Sequence, residues 1–348
     1  MQSDFDSKRR LLIYCVSAAV LTAVLLAAAL PVIAWADDKP ASGGVELIVP
    51  FGTGGGADQL ARETAKLLAG VLPAPINVTN VPGATGNTGI ARLLAAPSDG
   101  RTMAVLTADT FSLLAYLNPG WKMSDVVPLA IMMKQPSVLF LPANSRFKNW
   151  ADFEKDARLR PDTLRVAITG LGSPDYLMLQ QLAAKGIKLV PVPLSNPKER
   201  YRAAQEGAAD ALYEQQGDIQ ELIDAKQLRP ILVFSAARVA TLKDVPASQE
   251  LGLTKVPNQF RSIVVKAGTD PARIKAMAEA LDRIASMPEY KRYLNAESAA
   301  QDSYVPAKDA AAFMQGELDA MRKIVESLPF HARYIIKDAE FEHYVQPF

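Results

Sequence analysis

Residues 45–58, VELIVPFGTGGGAD, restrict this chain more than any other stretch. A short apolar run ends in Pro50-Phe51. Gly52-Thr53-Gly54-Gly55-Gly56 follows with almost no side chain, and residues 57–70 then carry a helical pattern. Leu60, Leu67, Leu68 and Val71 fall on one face with Ala57, Ala61 and Ala65 beside them. Asp58 sits in the first turn, where an acid suits the helix dipole, one turn before Arg62. A buried strand, a glycine loop and a helix start make an anion site: the first N–H groups of a helix lack intrahelical partners, and glycine lets a ligand approach them. Three consecutive glycines exceed the need of a turn, so Gly54, Gly55 and Gly56 are expected to meet a ligand.

The loop disfavours a nucleotide as the anion. A phosphate-binding NTPase loop closes on Gly-Lys-Ser/Thr, and Gly56-Ala57-Asp58 stands there instead. The loose dinucleotide fingerprint Gly52-x-Gly54-x-x-Ala57 wants a ribose-binding acid roughly 20 residues on. The next strand, residues 76–81, offers Asn77 and Asn80 but no acid.

The strand, glycine loop and helix recur. Residues 76–81 lead through a second loop, Pro82 to Gly89 with Asn87 in it, into a helix near 90–96; a third strand covers 102–107. Such units imply an α/β chain with mostly parallel sheets flanked by helices. Ligands in such sheets bind beyond the C-terminal strand ends, which places Thr107, Ala108, Asp109 and Thr110 on the same edge as the first loop. Residues 128–141 read as one or two strands split at Pro136. The same kind of unit starts again after Pro142, with a glycine loop Gly170-Leu171-Gly172-Ser173-Pro174-Asp175 and a strand end at Glu214-Gln215. Asp270-Pro271 is a cap followed by an N1 proline, and Ile274, Met277, Ala278, Leu281 and Ile284 form the buried stripe of the helix it starts. These readings give lobe I as 37–140 plus 233–330, lobe II as 141–232, and a tail, 331–348, that the pattern does not place.

Residues 1–36 read as a targeting segment. Lys8-Arg9-Arg10 precedes a continuously apolar or small run, and Ala34-Trp35-Ala36 fits a signal-peptidase site before Asp37. The run is long enough to span a bilayer, so an uncleaved anchor is the alternative; either way the remainder is exported. Cys15, the single cysteine, lies inside this segment, so thiol chemistry, disulfides and thiolate metal sites are absent from the rest. His331 and His343 are the only histidines and both are in the tail, which excludes a Ser-His-Asp triad or a His-rich metal site in the body. With 38 basic and 37 acidic side chains, nothing points to nucleic acid. No cofactor and no metal are expected.

IVPFGTGGGAD, NVPGATGNTG and PSDGRTMAVLT together resemble the extracytoplasmic solute receptors of tripartite tricarboxylate transporters, the TctC-like or Bug family. The resemblance runs on through TGLGSPDYL, GAADALYEQQGDIQELIDAKQLRPILVFS, DVPASQELGL and KAGTDPARI, and covers nearly all of 45–327 in order. It implies a two-lobed periplasmic-binding-protein fold of the Venus-flytrap, type II-like kind, with two crossing strands. It also implies a periplasmic monomer that delivers a small organic carboxylate to membrane permease subunits, and no catalysis. The family's ligand loops carry over onto Phe51 through Asp58, the Thr107-Ala108 region, Gly170, Gly172 and Ser173, and Glu214-Gln215. The chain departs from the family at Leu194-Ser195-Asn196, where Tyr-Lys-Gly is common. It departs again at Tyr176, where histidine is common, and at Gln259-Phe260-Arg261-Ser262, where an aromatic-rich Trp-Phe-Gly segment is replaced. Two other readings stay open: a ligand-sensing subunit for a signalling partner, and a periplasmic enzyme using Asp58, Asp109 or Glu214 as acid or base.

Overall fold

A computed structural model describes residues 44–115, 117–253 and 256–328. The targeting segment 1–36 with Cys15, and the tail 331–348 with both histidines, lie outside the described residues. No helix among the described residues is long and apolar enough to cross a membrane.

The first sheet opens as the glycine-loop units require. β1 (Val45–Val49) leads into α1 (Gly56–Leu68), β2 (Ile76–Asn80) into α2 (Asn87–Ala95), and β3 (Thr102–Thr107) into the single turn α3 (Ala108–Phe111). β1 pairs in parallel with both β2 and β3. Leu60, Ala61, Thr64, Leu67 and Leu68 form the buried stripe of α1. β3 is buried on both faces from Met103 to Leu106, which suits a central strand. The remaining strands of this sheet are β4 (Val126–Gln135), β10 (Gln259–Lys266) and the two-residue β11 (Val305–Pro306). The strand order is β11-β4-β10-β3-β1-β2.

The second sheet collects β5 (Ser137–Pro142), β6 (Arg165–Ile168), β7 (Val190–Pro193), β8 (Ala211–Gln215) and β9 (Leu228–Phe234), in the order β7-β6-β8-β5-β9. Four helices accompany it: α4 (Trp150–Leu159), α5 (Pro174–Ala184), α6 (Pro197–Gln205) and α7 (Gln220–Asp224). The chain ends its described part with α8 (Pro271–Ala285), α9 (Pro288–Ala296) and α10 (Ala307–Ser327). Asp270 caps α8 through the Ala272 N–H at 2.7 Å, with Pro271 at its start, and Met277, Ala278, Leu281 and Ile284 are buried; Ile274 is half-buried.

Two expectations are corrected. The sheets are mixed rather than mostly parallel. β10 inserts antiparallel between β3 and β4, and β5 runs antiparallel to both β8 and β9. The strand that enters each sheet from the other, β5 in the second and β10 in the first, runs against the βαβ units there and so pairs antiparallel. The passage between sheets also falls earlier than 140/141. β5 already pairs with β8 and β9, so the change is at Pro136, which has no N–H to continue the ladder of β4. The return comes between Phe234, still paired with Ser137, and Gln259.

Candidate functional site

The helix start of α1 is built for close approach. Gly54 takes φ +88°, a left-handed conformation that glycine adopts without a steric penalty, and its N–H donates to Asp58 Oδ2 at 3.0 Å. Arg62 Nε donates to the same oxygen at 3.0 Å, and Asn80 Nδ2 donates to Asp58 Oδ1 at 2.9 Å and to the Phe51 carbonyl at 3.0 Å. Burial opposes the charge on Asp58, but the hydrogen bonds from Arg62, Gly54 and Asn80 outweigh it and hold the carboxyl below its usual range. Asp58 is therefore a brace for the loop. Gly55 is extended, with φ −95°, so its value is space. A Cβ on Gly55 would lie 2.4 Å from Pro197 Cγ, and one on Gly56 would lie 2.0 Å from Arg261 Nη2 and 2.3 Å from Asp218 Oδ1. The two glycines let elements of the second sheet and β10 press directly on the helix start.

A narrow cleft results, enclosing about 30 Å³, about one water. Of the expected ligand residues, Phe51, Gly55, Gly56, Thr107, Glu214 and Gln215 line it. Gly54, Asp58, Asn87, Ala108, Gly170, Gly172 and Ser173 do not line it. Asn87 accepts from Trp121 Nε1 at 2.7 Å and donates to the Pro119 carbonyl, fixing the second loop. Ala108 is fully buried in the core. Ser173 caps α5, and a Cβ on Gly170 would meet Thr85 Oγ1 at 2.2 Å. The Gly172 carbonyl accepts from Ser112 Oγ at 2.7 Å. The second glycine loop is thus a largely buried contact between the two halves.

Beside Asp109 and Glu214, which the sequence pointed to, the cleft is lined by Arg200, Asp218 and Arg261, which sequence patterns did not assign to it, with Asp175 and Glu297 bonded to or near this set. Arg200 of α6 donates to Glu214 Oε2 from Nη2 at 2.6 Å and from Nε at 3.2 Å, and its Nη1 reaches the Leu194 carbonyl at 2.7 Å. Arg261 of β10 donates to Asp218 Oδ2 at 2.5 Å and lies 3.8 Å from Glu297. Asp109 and Asp175 both accept from the Gln259 amide, at 3.4 and 3.2 Å, and Asp175 also accepts the Thr169 N–H at 2.9 Å. Burial, then the charge of Asp175, pushes the Asp109 carboxyl up to about 8. Burial, then Asp218, pushes Glu297 up to about 8 as well. Burial also raises Asp175 and Glu214. Of Arg200, Asp218 and Arg261, only Arg261 carried a sequence signal, as part of the segment that departs from the family pattern. Arg200 lies in a helix rich in charge, and Asp218 in a polar turn, so neither stands out from a solvated surface.

The model of the tripartite tricarboxylate transporter family receptor matches residues 60–330. The UPF0065 protein in the gbd 5′ region of Cupriavidus necator is 26% identical over 331 residues, covering 92% of this chain and 98% of its own. Among solved structures, the periplasmic binding protein BugD superposes with a TM-score of 0.74 at 19% identity, covering 81% of this chain and 96% of its own. MatC from Rhodopseudomonas palustris with bound malate gives 0.74 at 22% identity, covering 82% and 99%. These structures share the two-lobed periplasmic binding-protein fold, and both fold and family are those of substrate-binding receptors. The chain belongs to the tripartite tricarboxylate transporter receptor family.

Proposed function

We propose that this protein captures a small organic carboxylate between its two lobes outside the cytoplasm and presents it to membrane permease subunits. One observation carries the reading: the bare helix start Gly55-Gly56-Ala57 lines the same closed cleft as the Arg261 guanidinium, with the other lobe seated on it. Backbone N–H groups at a helix start and a guanidinium are both carboxylate donors, and closure removes the water that would compete with them. MatC, which shares the fold, was solved with malate bound. Of the acids Asp58, Asp109 and Glu214 that an enzyme could use, Asp58 braces its loop, Asp109 accepts from the Gln259 amide and Glu214 is ion-paired to Arg200, which favours binding over turnover.

The lobes are proposed to hinge at Pro136 and in the 235–258 connection, and the exported chain to begin after residue 36. Calorimetry of the purified protein with malate, succinate, adipate, L-aspartate, 4-aminobutanoate and 5-aminopentanoate tests the reading. The expected result is saturable binding of at least one, recovered chemically unchanged. Failure of all six to bind, or conversion of the bound acid, overturns it.

A further inference from the structure

A second cavity lies away from the cleft. It encloses about 580 Å³, against about 30 Å³ in the cleft, and falls in the range of small-molecule sites. Its walls come from Lys134 and Gln135 at the end of β4, from Pro136, from Phe234 at the end of β9, from both ends of the return connection and from residues 298–303 before β11. In the strand orders β11-β4-β10-β3-β1-β2 and β7-β6-β8-β5-β9, the cleft draws on β3, β10 and β8, and this cavity on β4, β9 and the loop before β11. The two spaces lie on opposite sides of the β4–β5 crossing and share no lining residue among those described.

Phe234, Val239, Val256 and Phe313 give the cavity an apolar wall. One cation is set into it. Lys134 is half-buried, its Nζ lies 5.5 Å from the centroid of the Phe313 ring, and it has no hydrogen bond or ion pair among the described residues. An ammonium held over an aromatic face keeps its N–H donors for another partner. Ser303 lines the same space. It is fully buried, and its Oγ has no hydrogen-bond partner among the described residues. β11 pairs Val305 with Ile131 in antiparallel register, so the residues before β11 run back toward Lys134. A buried hydroxyl left unmade is costly, and an acceptor oxygen in the cavity would satisfy it.

The nearby acids leave Lys134 open. Glu317 is close enough for its carboxyl to feel the ammonium, but its oxygens take the Asn258 N–H at 3.1 Å and Nδ2 at 2.6 Å, and burial raises its carboxyl. Glu297 is engaged by the Gln135 amide and lies 3.8 Å from Arg261. Asp302 lines the cavity but is exposed to water, which screens its charge.

We propose that this cavity is a second binding site, for an apolar monocarboxylate, with the carboxylate on Lys134 and Ser303 and the hydrocarbon body against Phe234, Val239 and Phe313. An alkylammonium of the same shape meets Lys134 with the same sign and is disfavoured. The assignment does not rest on which acid the cleft takes.

The test is calorimetry at pH 7.5 with octanoate and 4-phenylbutanoate against octylammonium. The wild type is compared with three variants, each checked for folding by a thermal melt. Lys134→Gln removes the cation, Ala300→Trp fills the cavity from an exposed position on its wall, and Gly55→Val obstructs the cleft alone. The wild type is expected to bind at least one of the two monocarboxylates saturably, about tenfold or more tighter than octylammonium. Lys134→Gln should weaken that binding about tenfold or more; Ala300→Trp should weaken it likewise and serves alone if Lys134→Gln fails to fold. Gly55→Val should leave it within about twofold. Four results overturn the inference: no binding of either monocarboxylate, equal or tighter binding of octylammonium, full binding by either folded cavity variant, or binding that Gly55→Val removes. The last would place the probe in the cleft and leave the carboxylate reading standing.

Discussion

Two buried guanidinium–carboxylate pairs stand in the same cleft and do different work. Arg200 and Glu214 both belong to the second lobe, on α6 and at the end of β8, and Arg200 is further tied to the Leu194 carbonyl. Arg261 and Asp218 belong to different lobes, one on β10 of the first sheet and the other in the turn after β8. In both, burial works against the guanidinium charge, and the carboxylate beside it nevertheless raises its pKa. The chemistry is the same, yet under the proposed hinge the first pair lasts as long as the lobe is folded and the second only as long as the lobes are closed. A buried ion pair is therefore part of the fold or part of a switch according to whether its two elements move together.

The largest effect should come from breaking the pair inside one lobe. Arg200→Met leaves Glu214 buried without its cation, and stability should fall by about 3–5 kcal/mol in urea melts. A variant as stable as the wild type would show that this pair is not part of the fold.

Next is a block to closure that touches neither pair. A valine Cβ at Gly55 would overlap Pro197 of the other lobe. Gly55→Val should remain folded, bind its acid at least about 100-fold more weakly, a loss of about 2.7 kcal/mol, and show no contraction by small-angle scattering when ligand is added. Binding at full strength would show that the helix start is only a turn.

Arg261→Met sharpens the contrast. Asp218 and Glu297 can regain water by opening, so the loss in urea melts should be less than half that of Arg200→Met. The radius of gyration of the ligand-free protein should instead rise. Equal destabilisation with no change in shape would make both pairs structural.

The same contrast has a pH signature. Asp109 and Glu297 have carboxyls raised to about 8 in the closed form, against an ordinary value of about 4. The closed form holds protons that an open or unfolded chain releases, so its stability declines as pH rises from about 4 through about 8 and changes little above. Scattering between pH 6 and 9 should show the empty protein opening, and Asp109→Asn should flatten that response. An empty protein whose dimensions stay constant over this range would remove the two acids from the switch.

The smallest effect is a cap. Ser173 accepts the Tyr176 N–H at the start of α5 and does not line the cleft. Ser173→Ala should cost about 1 kcal/mol in melts and leave affinity unchanged. A fall in affinity with unchanged melting would bring the second glycine loop into the site.

What the sequence determined by itself was local. The glycine loop before α1, the Asp270-Pro271 start of α8, and the break at Pro136 are each set by φ, capping or a missing N–H within a few residues, so they are legible in one dimension. The two-lobed architecture followed from family motifs spread in order along the chain. Tertiary structure alone decided the rest. It inserted β10 antiparallel beside β3 and made Gly55 matter because Pro197 lies above it. It also turned Gly170 into a contact with Thr85 and brought Arg261 to Asp218 from 43 residues away. Each of these depends on which surfaces meet when two lobes pack, and a pairing across such distances leaves no periodicity or cap in the chain that forms it.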